Sequence, residues 1–177
     1  MSRTHGNVVQ NLFISLKIIS FKMNILLNVF LVVGTFFLME GVAWVAHKYV
    51  MHGFLWSWHK SHHEPHNDIL EKNDYFAVVF SVPSVLTLVA GFEFEQVAFL
   101  KWVGFGILAY GIFYVLFHDI LVHRRIKIKF VAQSRYLRRM IRAHKVHHKY
   151  LKKDGAEAFG FLYAPKKYEN SLEQVTK

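Results

Sequence analysis

The stretch ILLNVFLVVGTFFLMEGVAWVAHKYVMH, residues 25–52, decides the fold because a long apolar run passes directly into a pair of histidines. Its first part, residues 25–46, contains 22 mostly apolar residues. As an α-helix, such a run measures about 33 Å, which matches the hydrocarbon core of a bilayer. The stretch therefore predicts a membrane-spanning helix that ends at His47.

Two more apolar runs, residues 75–92 and 97–117, are separated only by the short link 93–96. Such a link predicts a hairpin of spanning helices, and a hairpin returns the chain to the membrane face from which it started. Residues 47–74 and the residues from 118 onward should therefore share one face. Together these runs predict an all-α integral membrane protein with about three spanning helices and further helices at the shared face.

The composition also favours a membrane protein. Apolar residues make up 53% of the 177 residues, and the 17 phenylalanines exceed what a soluble core of this size needs to bury. A chain of this length predicts one domain, which we place at residues 23–165. Residues 1–22 are expected to form a weakly ordered or amphipathic N-terminal extension, and residues 166–177 a polar tail.

The net charge of +10 is distributed unevenly along the chain. Residues 47–74 hold three of the 22 lysines and arginines, residues 118–177 hold fifteen, and four lie elsewhere. Cytoplasmic segments of membrane proteins carry an excess of basic residues, so the shared face is predicted to be cytoplasmic. A basic excess beside long apolar runs is typical of a membrane protein and not of one that binds nucleic acid.

Ten of the twelve histidines form four tight groups, all on this predicted face. Their order is pair, triple, pair, triple, with the spacings H-x4-H and H-x2-H-H in turn. The groups are His47 and His52; His59, His62 and His63; His118 and His123; and His144, His147 and His148. The other two histidines, His5 and His66, stand apart and are interpreted as ordinary surface or capping residues.

The spacings predict how the groups are used. Positions i, i+3 and i+4 share one face of an α-helix, so each triple can direct its imidazoles towards a common point. A separation of five residues places the two members of a pair about 140° apart, which is too wide for one straight helical face. We therefore expect the pairs to lie at helix ends, where the backbone can bend.

Ten imidazoles at one face indicate a site for two metal ions. The chain has no cysteine, which excludes disulfides, iron–sulfur clusters and thiolate ligands, so any metal must be held by His, Asp or Glu. Zinc needs three or four ligands, whereas two octahedral irons offer about twelve positions, of which ten imidazoles leave one or two open. A metal-transport protein is the alternative, although transporters place ionisable residues near the bilayer midplane.

Four polar residues near the histidines are candidates to support the ligands: three could accept an imidazole N–H and so orient a ligand, and Asn73 could be a cap or a water-bridged contact to the metals. They are Glu40, Asn73, Asp74 and Asp119. Glu40 lies inside an apolar run, where a carboxylate is costly unless it is paired or neutral, and helix packing is its alternative role. Capping or solvation is the alternative for Asp74 and Asp119.

The helix predicted at residues 134–150 carries a basic face beside the last triple, formed by Arg138, Arg139, Arg142 and Lys145. This face fits anionic lipid headgroups, and docking of an acidic electron-donor protein is the alternative. The glycines of GFGILAYG, residues 104–111, lie inside a spanning helix. They indicate close helix packing and not a dinucleotide site.

Six stretches resemble the bacterial-type β-carotene hydroxylases, within the fatty-acid hydroxylase and sterol desaturase superfamily. They are HKYVMHG (47–53), WHKSHHEPH (58–66), EKND (71–74), HDILVHRR (118–125), HKVHH (144–148) and FGFLYAP (159–165). The resemblance implies that the ten grouped histidines ligate two non-haem iron ions in an enzyme of the bacterial inner membrane. It also implies O2-dependent hydroxylation of a carotenoid β-ionone ring at C3, from β-carotene to β-cryptoxanthin and then zeaxanthin.

The resemblance implies partners as well. The carotenoid would enter from membrane lipid, and electrons would come from an external donor, ferredoxin with its reductase. A related di-iron ketolase, fatty-acid hydroxylase or desaturase is the alternative within the superfamily. A non-enzymatic metal-binding or transport protein is the alternative outside it.

Overall fold

The computed structural model describes residues 2–64 and 70–169, and for residues 2–14 it describes the backbone alone. The described residues form helices and no strand, which confirms the predicted all-α class. The α-helices are α1 (Ser2–Val45), α2 (Trp56–His63), α3 (Tyr75–Glu93), α4 (Leu100–Tyr114) and α5 (Arg135–His147). Two π-helices, Ala46–Phe54 and Val115–Val122, continue α1 and α4, and 3₁₀ turns cover Lys72–Asp74, Glu95–Val97 and Lys166–Tyr168.

Three helical segments are long and apolar enough to cross a membrane: Ser15–Phe54, Lys72–Glu93 and Leu100–Val122. Many of their large apolar side chains are exposed, which suits surfaces that face lipid and would be unfavourable in water. The prediction of three spanning helices is therefore confirmed. The chain is a membrane protein.

The structure describes part of each predicted end segment, residues 1–22 and 166–177. α1 begins at Ser2, so residues 2–22 continue into the first span as one helix. Tyr168, in the predicted polar tail, is buried because it packs into the hydrophobic core. Residues 170–177 of that tail lie outside the described residues.

Glycines allow α4 to pack closely against both α1 and α3. A Cβ atom added at Gly104 would lie 2.7 Å from Cγ of Leu88 on α3, and one added at Gly106 would lie 2.6 Å from Cβ of Thr35 on α1. Any larger residue would push these helices apart. The packing interpretation of GFGILAYG is thus confirmed at these two positions.

The buried core lies where the spanning helices meet α5 and the C-terminal segment. The Ser134 side chain caps α5 by accepting the backbone N–H of Leu137 at 3.1 Å. Met140 and Ala143, on one face of α5, pack in one cluster with Phe117 and other buried apolar residues. This packing holds α5 beside the ends of α1 and α4, where the histidines lie.

Candidate metal centre

Both histidine pairs lie on π-helices. His47 and His52 belong to the first, while His118 belongs to the second and His123 ends it. The His123 N–H donates to the His118 carbonyl at 2.9 Å, which is the bond between residues i and i+5 that defines a π-turn. The wider turn brings residue i+5 back towards the face of residue i. Both pairs therefore lie at helix ends, as expected: the first π-helix is kinked at Gly53, directly after His52, and the second ends at Val122, directly before His123.

The ten grouped histidines converge into two groups of five. Within each group, one ligand nitrogen from every residue lies within 4.8 Å of the others. Group 1 contains His47, His52, His59, His63 and His147, and group 2 contains His62, His118, His123, His144 and His148. Each group thus receives one pair, the outer members of one triple and the middle member of the other triple.

The two triples exchange their middle members. On α2, His59 and His63 join group 1, whereas His62 joins group 2. Positions i+3 and i+4 of an α-helix diverge by about 100°, so one helix can present imidazoles in two directions. The triple at the end of α5 does the reverse and sends His147 to group 1. The prediction that each triple aims at one common point is therefore wrong.

Seven of these imidazoles donate their Nδ1–H to an acceptor outside the two groups. Backbone carbonyls accept four at 2.7–2.9 Å: His47 to Phe159, His52 to Lys153, His63 to Tyr150 and His147 to Glu157. Side-chain oxygens accept three at 2.7–2.8 Å: His59 to Asn73, His62 to Glu71 and His118 to Asp119. A proton on Nδ1 leaves the lone pair on Nε2, the atom that points into the group.

The Nε2 atoms face one another at short range. Those of His47 and His63 each lie 3.1 Å from Nε2 of His59, and those of His62 and His118 are 2.9 Å apart. Unprotonated nitrogens at such distances repel each other. A cation at the centre of each group would replace this repulsion by coordination, so the arrangement fits a metal ion in both groups.

Burial keeps the imidazoles neutral. It lowers the pKa of His59 to about 2, that of His147 to about 3 and that of His63 to about 4. Neutral imidazole is the form that binds a metal. The surroundings therefore favour metal binding at neutral pH.

Glu71 connects His62 to a charged network at the edge of the site. Its carboxylate accepts from His62 and from Arg125, and Arg125 also bonds to Oδ1 of Asp74 at 2.8 Å. The side chains of Glu71 and Asp74 also cap each other's backbone N–H groups. Arg124 has a φ of +54°, an uncommon left-handed conformation that turns the chain between His123 and Arg125.

Two of the four polar candidates contact a grouped histidine directly. Asp119 accepts the Nδ1–H of His118, the role considered for it, and Asn73 accepts that of His59 directly. Asp74 acts one step further away, because its partners are Arg125 and the backbone N–H of Glu71. Its capping alternative therefore describes its position better.

Glu40 contacts other groups than the imidazole that was expected. Its Oε1 accepts the backbone N–H groups of Phe161 and Leu162 at 2.8 and 2.9 Å, and its Oε2 accepts the Tyr110 hydroxyl at 2.8 Å. A Cβ atom at Gly160 would lie 2.5 Å from the same Oε1, so only glycine allows this approach. Glu40 thus holds the FGFLYAP segment against α1.

The sequence interpretation missed Glu71 and the four backbone acceptors. Glu71 belongs to EKND and Phe159 to FGFLYAP, two stretches that carried the resemblance but had no assigned role. The available signal for Glu71 was a carboxylate nine residues after His62. A backbone carbonyl gives no such signal, because every residue has one.

An apolar cavity of about 480 Å³ lies between α1 and α3 over α4 and reaches both histidine groups. Several of its wall residues, such as Val85, Ile112 and Leu116, are also exposed, so the cavity opens towards the lipid-facing surface. Polar groups line its inner end: His47, His59, Asn73, His118 and Asp119. The cavity therefore offers a path from lipid to the candidate metal sites.

The Fatty acid hydroxylase family profile matches residues 32–164, which contain all ten grouped histidines. The chain belongs to the fatty acid hydroxylase family. This family member is 44% identical to the β-carotene hydroxylase of Pantoea ananas over 138 residues, 78% of each chain. It is 40% identical to the β-carotene hydroxylase of Pseudescherichia vulneris over 141 residues, which are 80% of this chain and 79% of that one.

A more distant relative of this fatty acid hydroxylase family member is a plant protein. The chloroplastic β-carotene hydroxylase 2 of Capsicum annuum is 36% identical over 155 residues, which are 81% of this chain and 50% of the plant chain. No solved structure matches the chain. The predicted family resemblance is confirmed.

Proposed function

We propose that this enzyme hydroxylates the β-ionone ring of carotenoids at C3, from β-carotene to β-cryptoxanthin and then zeaxanthin. The observation that carries the proposal is the apolar cavity that joins the lipid-facing surface to both histidine groups. The names of the bacterial relatives, at 40–44% identity, support the carotenoid class. In each step one atom of O2 enters a ring C–H bond, and the other becomes water with two electrons and two protons.

The cavity suits an apolar ring. Met39, Phe76, Phe80 and Leu88 line its walls and provide apolar contact. Burial of apolar surface is worth about 25 cal/mol per Å², so these walls favour the ring over water. The rest of the polyene would stay in the lipid onto which the cavity opens.

Two iron ions, one in each histidine group, complete the proposal. The five imidazoles of each group would hold one ion. Bound iron would supply the redox reactivity for O2 activation that zinc lacks. The protein orients the Nε2 atoms of seven of the ten imidazoles through the hydrogen bonds of their Nδ1 atoms. It shields His47 from water with Phe159 and Phe161, which are buried.

Ferredoxin with its reductase is the proposed electron donor, because the chain has no cysteine for an iron–sulfur cluster of its own. The fifteen basic residues of 118–177 support a cytoplasmic position for both histidine groups, in the inner membrane of a bacterium. The hydroxylase domain would be residues 23–165. Its substrate would reach it from the bilayer.

A host that accumulates β-carotene provides the test. The wild-type chain should convert the pigment to zeaxanthin, whereas His147→Ala in group 1 and His62→Ala in group 2 should leave it unconverted. Lys152→Ala, at an exposed residue outside both groups, is the control. Unchanged β-carotene with the wild-type chain would contradict the proposal, and a keto product would favour the related ketolase.

A further inference from the structure

The segment that follows the second histidine pair alternates apolar and basic residues at the surface. Residues 126–131 read IKIKFV, and Ile126, Ile128 and Val131 are 57%, 40% and 76% exposed. Exposed apolar side chains next to a spanning helix, with lysines between them, suit the membrane interface, because the ammonium groups can stay in water. The segment is therefore suited to lie at the lipid surface.

A groove of about 300 Å³ lies between this segment and α5. Part of its lining is apolar: Leu121, Phe130, Val131, Ala132 and Ile141. The other part is basic: Arg124, Arg138, Arg142 and Lys145. No carboxylate from the described part of the chain lines it.

The positive charge of the groove is not cancelled by acidic side chains in its lining. Arg138 and Arg142 donate to backbone carbonyls, which satisfy N–H groups but leave the charge in place. Arg139, on the same helix, differs because it pairs with the Glu169 carboxylate at 2.7 Å. The basic face predicted from the sequence is thus divided. The residues that line the groove are those with no carboxylate partner among the described residues.

We propose that this groove binds an anionic phospholipid. The phosphate would lie among the basic side chains, and the glycerol and the start of an acyl chain would lie on Phe130 and Val131. The groove is small, concave and partly apolar, so a lipid fits it better than an acidic protein, which would present a broad surface. Its continuity with the interfacial segment 126–131 supports the same choice.

The proposed lipid would contact both α5 and the end of the helix that continues α4, and so stabilise their packing. The triple at the end of α5 supplies His144 and His148 to group 2 and His147 to group 1. A lipid held between this helix and the segment after His123 would therefore stabilise the placement of ligands in both groups. Its binding is independent of the substrate and does not rest on the proposed reaction.

Native mass spectrometry of the purified, delipidated full chain in a neutral detergent tests this inference. Phosphatidylglycerol should remain bound at about one molecule per chain under conditions that release phosphatidylcholine. Lys145→Gln should weaken phosphatidylglycerol binding about fivefold, and adding Arg138→Gln should weaken it about fivefold further, as expected for one charge each. Inorganic phosphate should compete poorly, because it lacks the apolar contacts.

The double variant Lys152→Gln with Lys166→Gln is the matched control, since both lysines are exposed and lie outside the groove. It removes the same charge and should bind phosphatidylglycerol like the wild type. An equal loss of phosphatidylglycerol binding in both double variants would contradict the groove as the binding site. Equal binding of phosphatidylglycerol and phosphatidylcholine would contradict it as well. Full displacement by inorganic phosphate, or by an acidic ferredoxin, would overturn the lipid as its occupant. The single variant Lys145→Gln keeps the test decisive if the double variant unfolds.

Discussion

Glu40, inside the first spanning helix, accepts the backbone N–H of Phe161 at 2.8 Å across 121 residues of sequence. An intramembrane carboxylate is costly unless donors surround it, and here Leu162 and Tyr110 provide two more. The segment that Glu40 holds also contains Phe159, whose carbonyl accepts Nδ1–H of His47. Glu40 therefore acts on a candidate metal ligand through the backbone of another segment.

Replacement of Glu40 by alanine should destabilise the protein strongly. The change leaves two backbone N–H groups and the Tyr110 hydroxyl without their acceptor, at about 1–3 kcal/mol for each buried group. Glu40→Gln should cost less, because its amide oxygen still accepts and its NH2 can donate to the tyrosine oxygen. Thermal unfolding in detergent measures this order. Val42→Ala, on the exposed surface of the same helix, is the control, and equal midpoints for Glu40→Ala and Val42→Ala would contradict the role.

Replacement of Glu71 by alanine should weaken metal binding in group 2. His62 loses the acceptor that fixes its ring, and such partners typically contribute about 10–100-fold to metal affinity. Metal analysis after dialysis against graded chelator concentrations measures the change. Glu64→Ala is the control, because Glu64 is an exposed carboxylate that pairs with Lys60 on α2. Equal metal retention in the two variants would show that Glu71 does not orient a ligand.

The ten histidines could be found from the sequence because metal binding requires both a residue type and a spacing. The division into two groups could not. Whether His62 and His63 serve the same ion depends on where α2 lies relative to α5, which is a property of tertiary packing. The π-turns at the pairs escaped prediction for a related reason, since a shift of one residue in backbone hydrogen bonding leaves no trace in composition.

The polar residues near the histidines also differ in how far the sequence indicates their contacts. Asp119 could be identified as a candidate because it directly follows His118, whereas the direct bond of Asn73 to His59 could not. Glu40 could be identified as costly in a membrane, but its partners are backbone N–H groups of a distant segment. Such contacts depend on how the chain returns to α1, and local sequence does not encode them.

The two histidine groups should hold separate ions. The wild-type chain should bind about two irons, and His52→Ala in group 1 or His123→Ala in group 2 should each reduce this to about one. Both variants should lose hydroxylation, because the proposed reaction uses both ions. Elemental analysis of purified protein measures the count, with His5→Ala as the control. Loss of all metal from either single variant would contradict separate sites.

Gly111 on α4 lines the apolar cavity, and a Cβ atom added there meets nothing within 4 Å. Gly111→Leu should therefore fold, since leucine also has the higher helix propensity. Its side chain would fill space that the carotenoid ring is proposed to use. We expect conversion of β-carotene to fall about tenfold or more with unchanged iron content. The reason is that a hydrophobic pocket which has lost volume to a new side chain binds its substrate less well.

Gly34→Leu on α1 is the matched control for this change. A Cβ atom at Gly34 also meets nothing within 4 Å, but the residue does not line the cavity. Its conversion of β-carotene should equal that of the wild type. Wild-type conversion by Gly111→Leu would show that the ring does not use this part of the cavity. An equal loss of β-carotene conversion in both variants would instead indicate a defect in folding or in membrane insertion. Both variants replace glycine by leucine in a spanning helix, but only Gly111 lines the cavity.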